Sequence, residues 1–428
     1  MNDGMSDPSD ARRLLKSGDL AAAELAYERV LAETPDHTEA LNVVALGSLR
    51  TGRTARALDL LERAAVAAPT DAPTQHHLGR VYQAVGDLRR AAAAHAKAVH
   101  LEPGFFLARL SWAEVLEQLG KAEDAVIQYK RSLDEAQRAG RWLGPETTPE
   151  PLRPLVLHAV SAVRQGRRAT FEKLIGPLRE RYGGSSMTRV ERCLRVYLND
   201  EAPVYPDPRQ RPTFLFFPDL PTSAYIHSAR FDWIEALEAA TDSVRAEMEG
   251  IMSSASARER VFGSDALEAE HLRGIGAVPS WNAYYFFRHG IRRDDNWRSC
   301  PLTARTLEAL PLSAIREHGP EVLFSVFTPG THLMPHRGVT NTRVVGHLPL
   351  VIPEDCALKV GGEIHEWHEG RVVVFDDTYE HEAWNRSRST RVVLIFDVWN
   401  PYLSDAERAA ITDVVGAIGD FRNLVEQA

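Results

Sequence analysis

Apolar residues in the first third of the chain recur at helical spacing, and the breaks between them repeat. Gly18, Gly52, Gly86 and Gly120 fall 34 residues apart, each five residues before an alanine: Ala23, Ala57, Ala91 and Ala125. Pro35, Pro69 and Pro103 keep the same period, and small residues at Ala45, Gly79 and Ala113 fall where two helices of one unit would cross closely. Stretches such as ARALDLLERAAVAAP show the spacing of a helix with one buried face. The pattern predicts paired helices over 1–140, stacked because a lone helix pair cannot bury its apolar face. Register is lost after Ala139, although PLVLHAVSAVRQG and ATFEKLIGPLRERYGG still read as amphipathic, which gives further helices over 141–201. Residues 202–212 contain four prolines and read as an extended linker.

From residue 213 to 428 the period becomes strand-like. FLFF at 214–217, NAYYFF at 282–287, VLFSVFTP at 322–329, TRVVGHLPLVIP at 342–353, RVVVFDD at 371–377 and TRVVLIFDVW at 390–399 are short apolar or alternating runs. Turn-forming residues separate most of them, as in an antiparallel sandwich or barrel. FDWIEALEAATDSVRAEME reads as helical ahead of these strands. The closing SDAERAAITDVVGAIGDFRNLVEQ is a helix with Ser404 and Glu407 spaced as a capping box.

Composition narrows the classes. Of 428 residues, 44% are hydrophobic and 25% charged, as in ordinary globular protein, and a net charge of −9 gives no support to a nucleic-acid or anionic-membrane surface. Cys193, Cys300 and Cys356 are widely spaced and form neither a metal-ligand nor a disulfide pattern. The N-terminal MNDGMSDPSDARRLLKSGD has no apolar core of a signal peptide, and no run approaches the roughly 20 apolar residues of a membrane span. The expectation is a cytoplasmic protein without a transmembrane segment.

Candidate chemistry gathers near the C-terminus. His336 in THLMPHRGVTN and His381 in FDDTYEHEAW, expected on neighbouring strands, offer imidazoles of the kind that bind divalent first-row metals. Arg391, ten residues after the second histidine, has the planar fork that grips a carboxylate. Together they suggest a non-haem iron oxygenase that uses 2-oxoglutarate. The residue two after His336, where a facial triad would carry its carboxylate, is Gly338.

PGTH, PH-x-G, HL-x-LVIP, FDD-x-x-EHE-W and DVW-x-P occur in that order between Ser325 and Pro401. This stretch resembles the aspartyl/asparaginyl β-hydroxylase family, with weaker similarity back to Phe214, and the 34-residue units resemble the tetratricopeptide repeat. The resemblances imply a multidomain α + β protein: an all-α repeat solenoid, then a double-stranded β-helix (jelly-roll) domain with flanking helices. In that family a glycine at the third-ligand position goes with iron held by two histidines, so His336 and His381 match the metal ligands. No catalytic side chain is implied beyond the metal centre. Asp377 is then a residue orienting a ligand histidine or water, a direct ligand, or a turn residue.

Arg391 and Ser325 match the residues that hold the distal carboxylate of 2-oxoglutarate, and His347 matches one near its chelating end. The family often has an arginine two residues before that histidine, where this chain has Val345; Arg343, on the same strand face, is the alternative. The implied cofactors are Fe(II) and 2-oxoglutarate, with O2 as co-substrate. The implied substrate is the β-carbon of Asp or Asn in a peptide or protein, bound with or without help from the repeat groove. Residues 280–303 correspond to the substrate-facing region, where Arg288, Arg292 and Arg293 are candidates to receive an acidic side chain or are simply solvated. Hydroxylation of a small molecule or acyl chain, and a repeat scaffold with a relic oxygenase domain, are the alternatives.

Overall fold

The computed structural model describes residues 8–252, 259–260, 272–274 and 281–427; the polar run before Pro8, and Ser280 at the head of the expected substrate-facing segment, lie outside them. The chain divides into two compact units, Met1–Ala169 with Arg422–Ala428 and Thr170–Phe421. This division lies well ahead of the Pro-rich segment.

In the first unit the described helices form consecutive pairs: α1 (Pro8–Ser17) and α2 (Leu20–Glu33), α3 (Thr38–Arg50) and α4 (Thr54–Ala67), α5 (Ala72–Ala84) and α6 (Leu88–Leu101), α7 (Phe106–Gln118) and α8 (Ala122–Arg138). Gly18, Gly52, Gly86 and Gly120 join the two helices of each pair with φ between +75° and +84°. An L side chain pays a steric penalty in that region, which is why the repeat is marked by glycine. Asp19 and Asp87 follow two of these turns and cap the next helix by accepting from the N–H of Ala22 and Arg90. Ala45 and Ala113 are fully buried, and a Cβ on Gly79 would come within 2.5 Å of the His95 ring. The small residues thus sit at close helix crossings.

In the second unit, the latter part of α9 (Arg153–Tyr182) leads into α10 (Gly184–Tyr197). The remaining described helices are α11 (Ile234–Ala239), α12 (Thr241–Met252), α13 (Asp294–Ser299), α14 (Pro301–Glu308) and α15 (Asp405–Gln427). The strands are β1 (Glu259–Arg260), β2 (Leu272–Gly274), β3 (Trp281–Arg288), β4 (Ile291–Arg292), β5 (Val322–Phe327), β6 (Thr331–His336), β7 (Arg343–Val351), β8 (Cys356–Val360), β9 (Glu363–Glu366), β10 (Val373–Phe375), β11 (His381–Asn385) and β12 (Arg391–Trp399). They form two antiparallel sheets, one ordered β1-β3-β5-β12-β7-β10 with β4 beside β3, the other β2-β6-β11-β8-β9.

The sheets face each other across Phe327, Val345, Phe375 and Val393 from one and Leu333, Leu358 and Ala383 from the other. The outer face of the larger sheet is covered as well: Trp233, Leu237, Val244 and Met248 pack on Phe324, Val344, Leu394 and Phe396. Strands buried on both faces read as continuous apolar runs rather than alternating ones, which explains VLFSVF and RVVLIFDVW. Phe171 and Ile175 of α9 and Met187 and Val190 of α10 share a further core with Leu215, Phe217, Ile411 and Val414. Arg189 clamps Glu407 with two 2.7 Å hydrogen bonds, while Glu407 also accepts from the Ser404 N–H at 2.9 Å, completing the capping box of α15.

Two segments depart from the sequence expectation. FLFF at 214–217 forms no strand beyond an isolated bridge from Leu215 to Thr340. Its backbone bonds residues 339–341 instead: the Val339 carbonyl accepts from the Phe214 and Leu215 N–H groups at 2.9 and 3.0 Å, while Asn341 accepts from the Phe217 N–H at 2.7 Å and donates to the Phe217 carbonyl at 2.8 Å. The Pro-rich segment is tied to the β-domain. Gln210 donates to Asp376, the Arg211 N–H bonds the Thr378 carbonyl at 2.9 Å, and Arg337 donates to the Arg209 carbonyl. Among the described residues no helix is long and apolar enough to cross a membrane.

Candidate functional site

His336 ends β6 and His381 begins β11; the two residues are directly opposite in the antiparallel ladder, and the register shifts just beyond them. Such an irregularity re-aims side chains, and here the two rings stand 4.1 Å apart, centroid to centroid. Nδ1 of His336 faces the Met334 carbonyl at 2.8 Å, and Nδ1 of His381 faces the Tyr379 carbonyl at 3.1 Å. A carbonyl only accepts, so each ring keeps its proton on Nδ1 and carries its lone pair on Nε2. Burial lowers the pKa of His381 and favours the neutral ring that a metal requires. Among the described residues no cluster of three or more His, Cys, Asp or Glu is suited to a metal. The centre therefore offers a pair of imidazoles.

Gly338 explains the missing third ligand sterically. A Cβ at this position would meet the Asp377 carboxylate at 2.1 to 2.3 Å. Asp377 Oδ2 pairs with Arg343 at 3.0 Å, and the other arm of Arg343 reaches Asp397 at 3.0 Å. Asp377 Oδ1 is buried with no hydrogen-bond donor in reach. A buried acceptor left unmade is costly, and it fits a water held beside the histidines. Gly338→Ala is expected to lose about 1–3 kcal/mol of stability in urea denaturation through overpacking. The Gly338→Ala/Asp377→Ala pair should recover part of that loss; no recovery would rule out the steric account.

Arg391 is 1% exposed, lies opposite Phe327 in the ladder, and donates to Ser325 Oγ at 3.0 Å. Its guanidinium carbon is 4.4 Å from the centre of the Phe327 ring and 4.2 Å from that of Trp367, and its buried Nε has no acceptor. No carboxylate pairs with it among the described residues, and burial pushes its pKa down to about 9. Aromatic faces supply part of what a counter-ion would give, but a buried cation without an anion is electrostatically incomplete. His347 on β7 is likewise buried, with Nδ1 unpartnered, and burial followed by the Arg391 charge drives its pKa well below the ordinary value.

These groups form one connected series. The His381 ring is 5.6 Å from Phe375, Phe375 is 5.0 Å from His347, and His347 is 5.8 Å from Trp367, which covers Arg391. Neutral nitrogens at one end, an unbalanced cation at the other and orphaned polar atoms between them fit a divalent metal with a dicarboxylate ligand. Arg343 does not join the arginine end. Although burial opposes its charge, Asp377 and Asp397 raise its pKa and engage both arms, while Val345 packs in the apolar core.

The remaining candidates lie elsewhere. Arg292 pairs with Asp294 at 2.7 Å and lies over Trp297; Arg288 lies over Tyr285; the Arg293 N–H bonds the Phe286 carbonyl. These contacts stay within the β3–β4 hairpin and the helix that follows. His332 bonds Glu382 at 2.8 Å, which also holds Lys359 at 2.9 Å. Asn385, whose Asn385-Arg386-Ser387 sequence is formally a glycosylation sequon, is fully buried and donates to the Phe327 and Ser389 carbonyls. Sequence reasoning passed over Phe327, Trp367 and Asp397. A lone aspartate inside LIFDVW was the available signal for the last, because a buried charge requires a partner.

The fold and site define a class: a helical-repeat protein whose β-sheet domain carries a two-histidine centre linked to a buried arginine. The aspartyl/asparaginyl β-hydroxylase family model matches residues 238–401, and the tetratricopeptide repeat model matches residues 10–72 and 77–140. Aspartate beta-hydroxylase domain-containing protein 2 of Mus musculus is 32% identical over 252 residues, 56% of this chain and 69% of its own length. Its Xenopus tropicalis counterpart is 32% identical over 255 residues, 57% of this chain and 65% of its own. Human aspartyl/asparaginyl beta-hydroxylase is 37% identical over 145 residues, 34% of this chain and 19% of its own. Ornithine lipid ester-linked acyl 2-hydroxylase of Rhizobium tropici is 31% identical over 182 residues, 42% of this chain and 61% of its own.

The chain belongs to the aspartyl/asparaginyl β-hydroxylase family. It spans 65% of the Xenopus relative and 19% of the human hydroxylase.

Proposed function

We propose that the chain is an Fe(II)- and 2-oxoglutarate-dependent dioxygenase that hydroxylates an unactivated carbon. The substrate we assign is the β-carbon of Asp or Asn in a peptide or protein, recruited by the helical repeats. The observation that carries this reading is Arg391, buried without a counter-ion and linked through a series of rings to His336 and His381. When bound, Fe(II) and 2-oxoglutarate supply the oxidising chemistry, with dioxygen as co-substrate and succinate and carbon dioxide as products.

The protein's part is positioning. His336 and His381 present Nε2 to the metal, with the Met334 and Tyr379 carbonyls fixing tautomer and ring plane. Asp377, steadied by Arg343, would offer its unpartnered Oδ1 to a water held beside the histidine pair. Arg391 and Ser325 hold the distal carboxylate, and His347 stands near the chelating end. Phe327 and Trp367 shield the Arg391 guanidinium from bulk water. Buried, unpaired Cys193, Cys300 and Cys356 support a reducing compartment, the cytoplasm.

Anaerobic absorption spectroscopy tests this reading. Purified protein with Fe(II) should develop a visible charge-transfer band on adding 2-oxoglutarate. A folded, iron-loaded protein that gives no band would overturn it. The Rhizobium relative favours a second reading, an acyl or small-molecule substrate. Mass spectrometry separates the two: one added oxygen on an Asp- or Asn-containing peptide supports the first, and one on a fatty acyl chain the second.

A further inference from the structure

Trp367 follows β9 in a stretch that reads as an exposed turn, yet it is 3% exposed while His368 beside it is exposed. Its ring centre lies 4.2 Å from the Arg391 guanidinium carbon, and that of Phe327 lies 4.4 Å from it. The indole Nε1 is buried and has no acceptor, nor does the neighbouring Arg391 Nε. A buried Trp N–H ordinarily finds a partner. Two orphaned donors in contact, one of them on the uncompensated cation itself, indicate a shared acceptor rather than independent packing faults. A carboxylate suits that place, because its two oxygens offer about four lone-pair sites. Ser325 and the arginine account for only part of them.

We propose that Trp367 is a cosubstrate-binding residue: its indole N–H donates to the carboxylate held by Arg391, and its ring keeps that ion pair dry. The proposal rests on the 2-oxoglutarate reading above. It makes Trp367 a specificity determinant for dicarboxylic 2-oxo acids, since a 2-oxo acid without the distal carboxylate has nothing to receive the bond.

The test uses the full chain loaded with Zn(II), titrated calorimetrically with 2-oxoglutarate and with pyruvate, which lacks the distal carboxylate. Trp367→Phe keeps a ring over Arg391 and removes only the donor. It should weaken 2-oxoglutarate by roughly tenfold or more, the usual scale for a hydrogen bond to a charged group, and leave pyruvate unchanged. Equal affinity of variant and wild type for 2-oxoglutarate, or equal weakening toward both ligands, overturns the proposal. A wild-type protein that binds neither acid instead removes the 2-oxoglutarate reading itself. Nitrogen-15 indole spectra of the wild type give an answer independent of how the variant folds. The Trp367 N–H resonance should shift with 2-oxoglutarate and stay in place with pyruvate; no shift on 2-oxoglutarate binding overturns the proposal.

Discussion

His381→Ala is expected to abolish measurable hydroxylation and to lose Fe(II) binding while the protein remains folded. Removing a partner that only orients a metal ligand typically costs about 10–100-fold, and removing one of a pair of protein ligands must cost more. The fold should tolerate the change, because His381 sits at the start of β11, where the ladder is already irregular. Stability provides a readout separate from turnover. A metal that binds only the native state adds about 2.7 kcal/mol at a hundredfold excess over its Kd, so Fe(II) should raise the melting temperature of the wild type under anaerobic conditions. His381→Ala and His336→Ala should both lose that rise. A wild-type-sized rise in either variant would show that the histidine pair is not the metal centre.

These histidines were legible because they lie in dense local motifs, THLMPHRG and FDDTYEHEAW. The strands that carry them were not. β6, β8, β9 and β11 make up most of the smaller sheet, and none stands out as an apolar run. β6 contains Pro335, and β11 reads HEAWN with polar residues along most of its length. Only the turn between β8 and β9 announces itself, through Gly361 and Gly362 at φ +58° and +92°. The larger sheet was legible for the opposite reason, since strands covered on both faces consist of Val, Leu, Ile and Phe. FLFF misled because Leu215 and Phe217 fill a core shared with helices, while its backbone bonds Val339 and Asn341 rather than a strand ladder.

Long-range pairings were the hardest to see. Arg343 could be placed on the right strand face from alternation alone. Its commitment to Asp377 and Asp397 depends on two strands and a loop meeting. The same holds for Gln210: its bond to Asp376 turns an apparent spacer into a strap across the loop that precedes β11.

Arg391→Met should separate binding from folding most sharply. Methionine is shorter than arginine but unbranched and flexible, and it makes favourable sulfur–aromatic contacts, so it can pack against Phe327 and Trp367 without a charge. The arginine's charge is a burden in the free protein. An unfolded guanidinium holds its proton up to the ordinary arginine value, whereas burial brings the native value down to about 9. Between those values the unfolded chain binds more protons, so this group makes stability rise with pH; below pH 9 it imposes its full penalty. Removing it relieves that penalty at neutral pH. Against this, Ser325 Oγ is left without its donor, an offset of about 1–3 kcal/mol.

The variant should therefore melt close to the wild type, while its affinity for 2-oxoglutarate collapses. Truncating one partner of a buried charge pair costs about 2–5 kcal/mol, or roughly 30- to 4,000-fold in Kd. A carboxylate ligand also restores the guanidinium's hold on its proton, so wild-type affinity for 2-oxoglutarate should be level below pH 9 and fall above it. Arg391→Met should show no such fall. Normal 2-oxoglutarate affinity in a folded Arg391→Met protein would end the case for a ligand-binding arginine, and unfolding of the variant would make Arg391 a structural cation whose partner is protein.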